Sequence, residues 1–351
     1  MLGDRSSQEP LSVADFAHVT HFAEFTDFTD ELFGRLARAD QRRWAHAYLQ
    51  ALLLTPGKKT MRRLAATVSD SPTASQALHQ FVNASPWDWK QVREDLARHV
   101  ERRAPARAWV VAPAVLPKRG MHSCGVHRRF VAQEGRAVNC QLAVGAFLAT
   151  DRGEMPVDWR LHLPESWLAS RPSRLRARVP DRAAPRTPSG DALDLVDTAA
   201  RSGPPRSLPV VAHLGGHGDA RELVVGLDAR GADFLVAVPD SMPAPLTRQL
   251  RPGVPVAHRP YRLFTDPRTG QRWLTNLVRH PAPELLALTG ASLGVRSALD
   301  RLADDFGLRD FEGRSFPGWH HHMTLLSAAY AYQALAHQQP GARAEALARP
   351  A

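Results

Sequence analysis

The order in which strand-like segments follow one another is the feature that most constrains the fold of this chain. Three short apolar segments begin at Ala108, Val138 and Pro156, all within about sixty residues, with Gly-containing turns between them. Consecutive short strands joined by such turns are typical of an antiparallel meander. The sequence therefore predicts that a sheet begins near residue 108.

After the meander, the pattern changes to strand, helix, strand. An apolar segment begins at Leu208, a helix is predicted from about Asp219 to Arg230, and the segment FLVAV begins at Phe234. A three-stranded meander followed by strand, helix and strand is the order of an RNase H-like core. We therefore predict the α/β fold class, with an RNase H-like mixed sheet core, an all-α N-terminal domain and a basic β-rich insertion.

Residues 12–100 carry a helical pattern, because large apolar side chains recur at helical spacings with few β-branched runs between them. We predict an α-helical, DNA-binding-like domain over residues 1–105 and the RNase H-like core over residues 106–345. Within the core, residues 164–209 hold eight prolines and eight arginines. We expect a loop-rich connection there, with one short helix at Ala192–Ala199.

A basic insertion spans residues 244–283 and precedes two helices predicted at about 284–306 and 320–338. Asp266 is the only acid between residues 247 and 280, and the turn formers of DPRTG indicate a hairpin. A ribbon carrying Tyr261 and Trp273 suits a DNA backbone, since arginine neutralises phosphates and aromatic rings stack on bases. The alternative is a solvated, arginine-rich hairpin. The arginines of this stretch are Arg248, Arg251, Arg259, Arg262, Arg268, Arg272 and Arg279.

The charge balance favours an acidic polymer as partner. The chain has 45 Lys+Arg against 35 Asp+Glu, a net charge of +10, so double-stranded DNA is the expected ligand. Cys124 and Cys140 are the only cysteines. Neither a disulfide framework nor a thiolate zinc cluster is therefore expected, and we predict a cytoplasmic protein. The sequence shows no signal-peptide pattern and no apolar stretch of roughly 18 residues, so no membrane association is expected.

Several basic residues are candidates for DNA contacts. Arg35, Arg38 and Arg42 recur at a spacing that would place them on one helical face able to cross a DNA backbone. Trp87 and Trp89, in contrast, are interpreted as packing residues. The predicted DNA-binding residues are Arg35, Arg38, Arg42, Lys58, Lys59, Lys118, Arg119, Arg259, Arg262, Arg268 and Arg272.

Motifs along nearly the whole chain carry a family resemblance. They are RADQRRWAHAYLQALLL with GKKTMRRLA (residues 38–65), ALHQFVNASPWDW (77–89), PKRGMHSCGVHRRF (117–130), NCQLAV (139–144), DWRLHLPESW (158–167) and GLRDFEGRSFPGWHHHMTL (307–325). On these motifs the chain resembles the DDE-class transposases of bacterial insertion sequences, in the 701-type branch of the insertion-sequence-4 assemblage. The resemblance implies an RNase H-like fold, DNA as substrate, and three carboxylates that hold two divalent metal ions.

The three carboxylate positions implied by the resemblance hold other residues in this chain. The first is expected on the strand that leads into the PKRG motif, where Ala112 is followed by Pro113. The second, at the end of the fourth strand, corresponds to His213, and the third, eleven residues before Gly307, corresponds to Arg296. A methyl group, an imidazole and a guanidinium are poor ligands for Mg²⁺. We therefore predict that the Mg²⁺ site is lost, that no metal or other cofactor is bound, and that DNA strand transfer does not take place.

Three acids near these positions could replace the lost carboxylates. Asp219 opens a helix, where a carboxylate is favoured as an N-cap. Asp300 and Asp304 have the spacing of a solvated helix face. An active DDE transposase with relocated acids is therefore one alternative.

Histidines suggest a second alternative. His213 and His217 flank a glycine-rich turn, and with Asp219 and Arg296 they could form a proton-transfer and anion-binding site. The chain would then be a repurposed enzyme acting on a small anionic substrate. The run His320–His322 falls in a family motif, and adjacent helix residues point about 100° apart. We expect these histidines to have a structural or phosphate-facing role rather than to bind a metal.

The preferred function is binding without cutting. We predict a catalytically degenerate, transposase-like protein that binds DNA as a repressor or accessory factor. The sequence leaves open whether the chain forms a homo-oligomer and whether it is a decayed relic.

Overall fold

The computed structural model describes residues 13–131, 135–202, 208–242 and 260–336. Its N-terminal part is helical, as the sequence predicts. Side-chain caps mark two helix starts, because Thr60 accepts a hydrogen bond from the Arg63 amide and Asp88 accepts one from the Lys90 amide. The helices are α1 (Val13–Phe33), α2 (Ala39–Leu54), α3 (Met61–Val68), α4 (Ala74–Asn83) and α5 (Trp89–Arg103).

In the described part of the chain, eight strands form one mixed sheet. The order across the sheet is β2-β3-β1-β5-β6-β8-β7, and β4 pairs with β3. The strands are β1 (Ala108–Pro117), β2 (His127–Val131), β3 (Arg136–Thr150), β4 (Gly153–Leu161), β5 (Val210–Ala212), β6 (Phe234–Val238), β7 (Arg262–Thr265) and β8 (Arg272–Thr275).

The pairing within the sheet confirms the predicted fold class. Strands β1, β3 and β4 form an antiparallel meander, and β5 and β6 run parallel to β1. The path β4-β3-β1-β5-β6 is that of an RNase H-like core. Cys140–Thr150 of β3 is buried without a break, as expected for a strand whose two faces are both covered.

The connections and the last part of the chain are helical. A short 3-10 helix at Gly215–His217 links β5 to the helix that follows it. The further α-helices are α6 (Glu165–Ala169), α7 (Arg171–Ala177), α8 (Pro188–Ser202), α9 (Ala220–Ala229), α10 (Ala282–Asp304) and α11 (Phe316–Ala336).

The connection at residues 164–209 is more regular than the sequence predicts. The helix predicted at Ala192–Ala199 lies within α8, but α6 and α7 are also present, so the prediction of a loop-rich connection was wrong. Pro172 lies in the first turn of α7 and Pro188 is the first residue of α8. A proline in the first turn of a helix costs no hydrogen bond, so these prolines begin helices rather than interrupt them.

The hairpin predicted in the basic insertion is present. Strands β7 and β8 pair antiparallel, and β8 continues the sheet beside β6. The turn closes where the amides of Thr269 and Gly270 donate to the Asp266 carbonyl. Gly270 has φ +72°, a left-handed conformation that favours glycine. Residues 243–259, and with them Arg248, Arg251 and Arg259, lie outside the described residues.

Helix α11 joins the N-terminal helices to the sheet. Its residues from Gly318 to Ala331 are all buried, and the helix packs against α2, α4, α5 and β4. A helix that is buried all round lies in the centre of a protein. One hydrophobic core consequently runs from the N-terminal helices into the sheet. The predicted boundary at residue 105 thus separates two kinds of secondary structure that share this core.

Cys124 and Cys140 are buried free thiols. No described helix has both the length and the apolar character that crossing a bilayer requires.

Candidate functional site

A cleft of about 660 Å³ opens where strand β5 ends. Strand β5 pairs with β1 only from Trp109 to Val111, so the rest of β1 extends beyond its parallel neighbour. The cleft is lined by β1, β2, the turn at Gly215–His217 and helix α10. Ligands of open α/β sheets bind outside the carboxyl ends of the strands, which makes this cleft the first candidate for a binding site.

The three positions implied by the resemblance meet in this cleft. Ala112 lines it from β1, His213 from the end of β5 and Arg296 from α10. The amide of His213 donates to the Val111 carbonyl at 3.0 Å, which fixes the histidine next to β1. Its ring packs edge-on against Trp273, with the ring centroids 5.7 Å apart. Residues that are far apart in sequence therefore form one surface.

Among the charged side chains of the cleft, basic ones outnumber acidic ones. Arg129, Arg296 and Arg309 line it, and Asp300 is the one acid among its described lining residues. Within the described ranges, none of the three guanidinium groups pairs with a carboxylate. Arg129 Nη2 lies 3.5 Å from the Gly216 carbonyl oxygen. Guanidinium groups with free donors that face a cleft are suited to bind an anion.

Burial lowers the pKa of both cleft histidines. The pKa of His213 lies below its usual value because of burial and, next, the charge of Arg296. The pKa of His217 is lowered by burial and by the charge of Arg129. Both imidazoles are therefore neutral at pH 7. The Nδ1 atom of His217 is buried and has no hydrogen-bond partner among the described residues.

Asp219 does not belong to the cleft. Its carboxylate caps α9, where it accepts hydrogen bonds from the amides of Arg221 at 2.8 Å and Glu222 at 3.3 Å. We predicted a proton-transfer site formed by two histidines, Asp219 and Arg296. Asp219 is not available to this site, because its carboxylate caps the helix. The interpretation of Asp219 as an N-cap is the correct one.

The other two acids weighed as replacements are separated. Asp300 lines the cleft, whereas Asp304, at the end of α10, does not. Within the described ranges, no three His, Cys, Asp or Glu side chains lie close enough together to hold a metal ion.

The three adjacent histidines of α11 are buried and contact different partners. His320 Nδ1 lies 3.3 Å from the Arg93 guanidinium, and His322 Nδ1 lies 3.1 Å from the Tyr48 hydroxyl. The ring nitrogens of His321 lie 2.8 and 3.0 Å from two backbone carbonyls. None of the three rings faces solvent, so they have a structural role and do not face a phosphate.

The predicted packing role of the two tryptophans agrees with this arrangement. Trp87 stacks on His321 with a centroid distance of 4.0 Å, and Trp89 stacks on His320 at 4.9 Å. These contacts join α11 to the N-terminal helices.

Two lysines predicted to contact DNA donate to backbone carbonyls within the protein. Lys59 is 6% exposed, and its ammonium donates to the Leu52 carbonyl at 2.8 Å. The ammonium of Lys118 donates to the Phe311 carbonyl at 2.7 Å, and burial lowers its pKa to about 8. The prediction for Lys59 was wrong, because its side chain is buried and donates to backbone carbonyls, whereas the contact of the half-buried Lys118 with DNA stays a prediction.

The predicted basic face on an N-terminal helix is absent. Helix α1 ends at Phe33 and α2 begins at Ala39, so Arg35 lies between the helices and Arg38 is the N-cap residue of α2. Only Arg42 lies within a helix, so the three arginines do not share a face. The predicted DNA-binding residues that are exposed in the first 120 residues are Arg35, Arg38, Lys58 and Arg119.

The described arginines of the hairpin contact residues within the hairpin and next to it. Arg268 forms an ion pair with Asp266 at 2.7 Å, and its contact with phosphate stays a prediction. Arg262 and Arg272 donate to backbone carbonyls of residues 280 and 240 next to the hairpin. Their contact with DNA stays a prediction, and Arg259 lies outside the described residues.

Sequence reasoning missed three residues of the cleft. Arg129 and Phe130 line it from β2, and Arg309 lines it from the segment after α10. A signal was available, because all three residues stand inside motifs that carry the family resemblance.

Comparison with known proteins agrees with the topology of the sheet. A family model described as DDE superfamily endonuclease matches residues 31–308, which is most of the chain and includes the whole described sheet. No curated protein matches the chain. The match to the family model shows that this chain belongs to the DDE superfamily of endonucleases.

Proposed function

We propose that this chain is a cytoplasmic, catalytically degenerate member of the 701-type branch of insertion-sequence transposases, which binds double-stranded DNA in the cleft and does not cut it. Such a protein would act as a repressor or as an accessory factor. The observation that carries the proposal is that Ala112, His213 and Arg296 line the cleft together. These are the three positions where the resemblance implies carboxylates.

The residues of the cleft do not fit the pair of divalent metal ions that DDE chemistry uses. Two such ions need several oxygen ligands, carboxylates among them. Ala112 offers no donor atom, the imidazole of His213 is a poor ligand for a hard cation, and Arg296 repels one. Asp300 adds a single carboxylate. This donor set supports the loss of cutting and argues against relocated acids.

The same residues make the cleft suitable for a phosphate backbone. Replacing carboxylates by neutral and basic groups removes repulsion toward an anion. Arg129, Arg296 and Arg309 add guanidinium groups without carboxylate partners in the described part of the chain. Guanidinium groups bind phosphate oxygens through charge-assisted hydrogen bonds, and neutralised phosphates supply much of the affinity of proteins for DNA.

A repurposed enzyme acting on a small anionic substrate is the second candidate. The buried Nδ1 atom of His217, which lacks a partner among the described residues, favours it. A concave cleft with a few polar groups is also the usual form of a small-molecule site. This candidate is weaker, because Asp219 is engaged as a helix cap and does not orient the imidazole.

A plasmid assay tests binding and cutting together. The full-length protein is expected to retard supercoiled DNA in a gel and to leave it uncut in Mg²⁺ or Mn²⁺, since the cleft cannot support two metal ions. The companion variant combines Ala112→Asp, His213→Asp and Arg296→Glu. Metal-dependent nicking by this variant would support the assignment of the three positions.

The Asp300→Asn variant is the matched control for the alternative with relocated acids. Metal-dependent nicking by the natural protein that disappears in this variant would contradict the proposal. Absence of any gel retardation at low salt would contradict the binding part.

A further inference from the structure

An aromatic ring stands exposed at the rim of the cleft. Phe130 is 63% exposed and lines the cleft from β2. The other exposed large hydrophobic side chains of the described residues, Leu54, Met121 and Leu175, lie outside the lining of the cleft. Exposure of a phenylalanine forgoes the free energy that burial would give. A ring held at the entrance of a cleft is therefore a candidate contact surface.

The strand presents this ring beside positive charge. Side chains alternate along a strand, so Arg128 and Phe130 project to one side and Arg129 projects to the other. Arg129 lines the cleft, as do the other two unpaired arginines, and Arg128 is exposed. The ring therefore shares its face of β2 with Arg128, while Arg129 projects from the opposite face and lines the same cleft.

An exposed ring on a strand that carries cations on both of its faces matches an unpaired nucleotide better than a duplex. In B-form DNA each base is stacked on its neighbours, and the grooves expose only base edges. An unpaired base exposes its face, on which an aromatic side chain can stack while basic groups follow the backbone. We propose that Phe130 stacks on an unpaired base, so that the cleft prefers DNA with a single-stranded segment to a fully paired duplex. The proposal rests on the proposed function, because it takes DNA as the ligand of the cleft.

A second copy of this chain is the competing occupant for an exposed ring. The charges disfavour it, because the rim carries Arg128 and Arg129 in a chain with a net charge of +10. Two such rims repel each other, whereas a polyanion is attracted to both.

Fluorescence anisotropy on the full-length protein tests the proposal. One probe is a labelled oligothymidine of about 20 nucleotides, longer than the typical site of about 4–16 nucleotides, and the other is a blunt duplex of equal length. Phe130→Ala is expected to weaken binding of the single strand about tenfold through the lost stacking. Binding of the duplex should change by less than about twofold, because phosphate contacts dominate it.

Two further variants control this measurement. Phe130→Tyr retains the ring and is expected to bind the single strand like the natural protein. Leu175→Ala removes a side chain that is as exposed as Phe130 but lies outside the cleft, and it should change neither affinity. Photo-crosslinking of an oligonucleotide that contains 5-iododeoxyuridine is expected to label Phe130 and locates the contact independently.

The outcomes separate this proposal from the proposed function. Equal binding of single strand and duplex, with neither affected by Phe130→Ala, would overturn the stacking proposal and leave DNA binding intact. Absence of binding to both probes would overturn the proposed function itself. A dimer in light scattering that Phe130→Ala converts to a monomer would assign the ring to a second copy and overturn the stacking proposal.

Discussion

Two groups of arginines in this molecule have opposite surroundings. Next to the sheet, Arg93 is 3% exposed and donates to the Asp158 carboxylate at 2.8 Å and to the His320 carbonyl at 2.9 Å. Arg160 contacts the same carboxylate at 2.9 Å. In this interior group, β4, α8 and α11 supply partners for the guanidinium donors.

The cleft arginines Arg129, Arg296 and Arg309 have no carboxylate partner within the described ranges. The net charge of +10 does not distinguish the two groups, but their partners do. An arginine whose donors are satisfied internally stabilises the fold. An arginine whose donors are free on the wall of a cleft is available to a ligand. Substitution should therefore affect stability in one group and binding in the other.

The largest expected effect is on stability, at Arg93. The variant Arg93→Met leaves the Asp158 carboxylate in the interior with fewer partners, and breaking a buried ion pair in this way costs about 3–5 kcal/mol. Urea unfolding followed by circular dichroism measures this loss in the free energy of unfolding. The matched variant Arg296→Met is expected to stay within about 0.5 kcal/mol of the natural protein. Equal destabilisation by the two variants would show that Arg296 is structural. It would then contradict the proposed difference between the interior arginines and the cleft arginines.

The next effect in size is a loss of stability in mild acid, which arises from the interior histidines. Burial lowers the pKa of His321 to about 4, although its two carbonyl partners favour the charged ring, and lowers that of His322 to about 3. Below pH 6.5 the unfolded chain protonates these histidines while the folded protein keeps them neutral. Each histidine therefore lowers the free energy of unfolding by about 1.4 kcal/mol for every unit by which the pH falls between about 6.5 and its lowered pKa.

The free energy of unfolding measured from pH 7 to pH 5 checks this expectation. His322→Gln should reduce the slope of the free energy of unfolding against pH, because it removes one of the buried histidines. A stability that is constant over this range would mean that the interior histidines are already charged in the folded protein.

Much of the fold could be predicted from sequence because its signals are local. Apolar segments from Ala108 onward, and the strand, helix and strand after Leu208, have the length and spacing that define each element. The prediction of a loop-rich connection before β5 was wrong. Its prolines break a helix only in the helix interior, and the sequence alone does not reveal that Pro172 and Pro188 occupy first turns.

The candidate site, like the fold, could be predicted only in part from the sequence. The positions of Ala112, His213 and Arg296 follow from the order of motifs, and they do line one cleft. The surroundings of other residues depend on contacts between distant parts of the chain. Lys118 donates to the carbonyl of Phe311, 193 residues away in sequence, and no local pattern indicates such a contact. Sequence predicts the identity of a basic residue but not whether its donors are already used.

The salt dependence of duplex binding tests the central claim, that the cleft arginines hold DNA, most directly. Each phosphate neutralised by the protein adds about 0.9 to the slope of log K against log salt. The triple variant Arg129→Ser, Arg296→Ser and Arg309→Ser should therefore lower the slope by about 2–3, with an unchanged free energy of unfolding. The control variant removes the same charge at exposed positions outside the cleft, Arg171, Arg176 and Arg182. A lower slope in the cleft variant alone is the predicted result, and equal slopes in the natural protein and the cleft variant would contradict the claim.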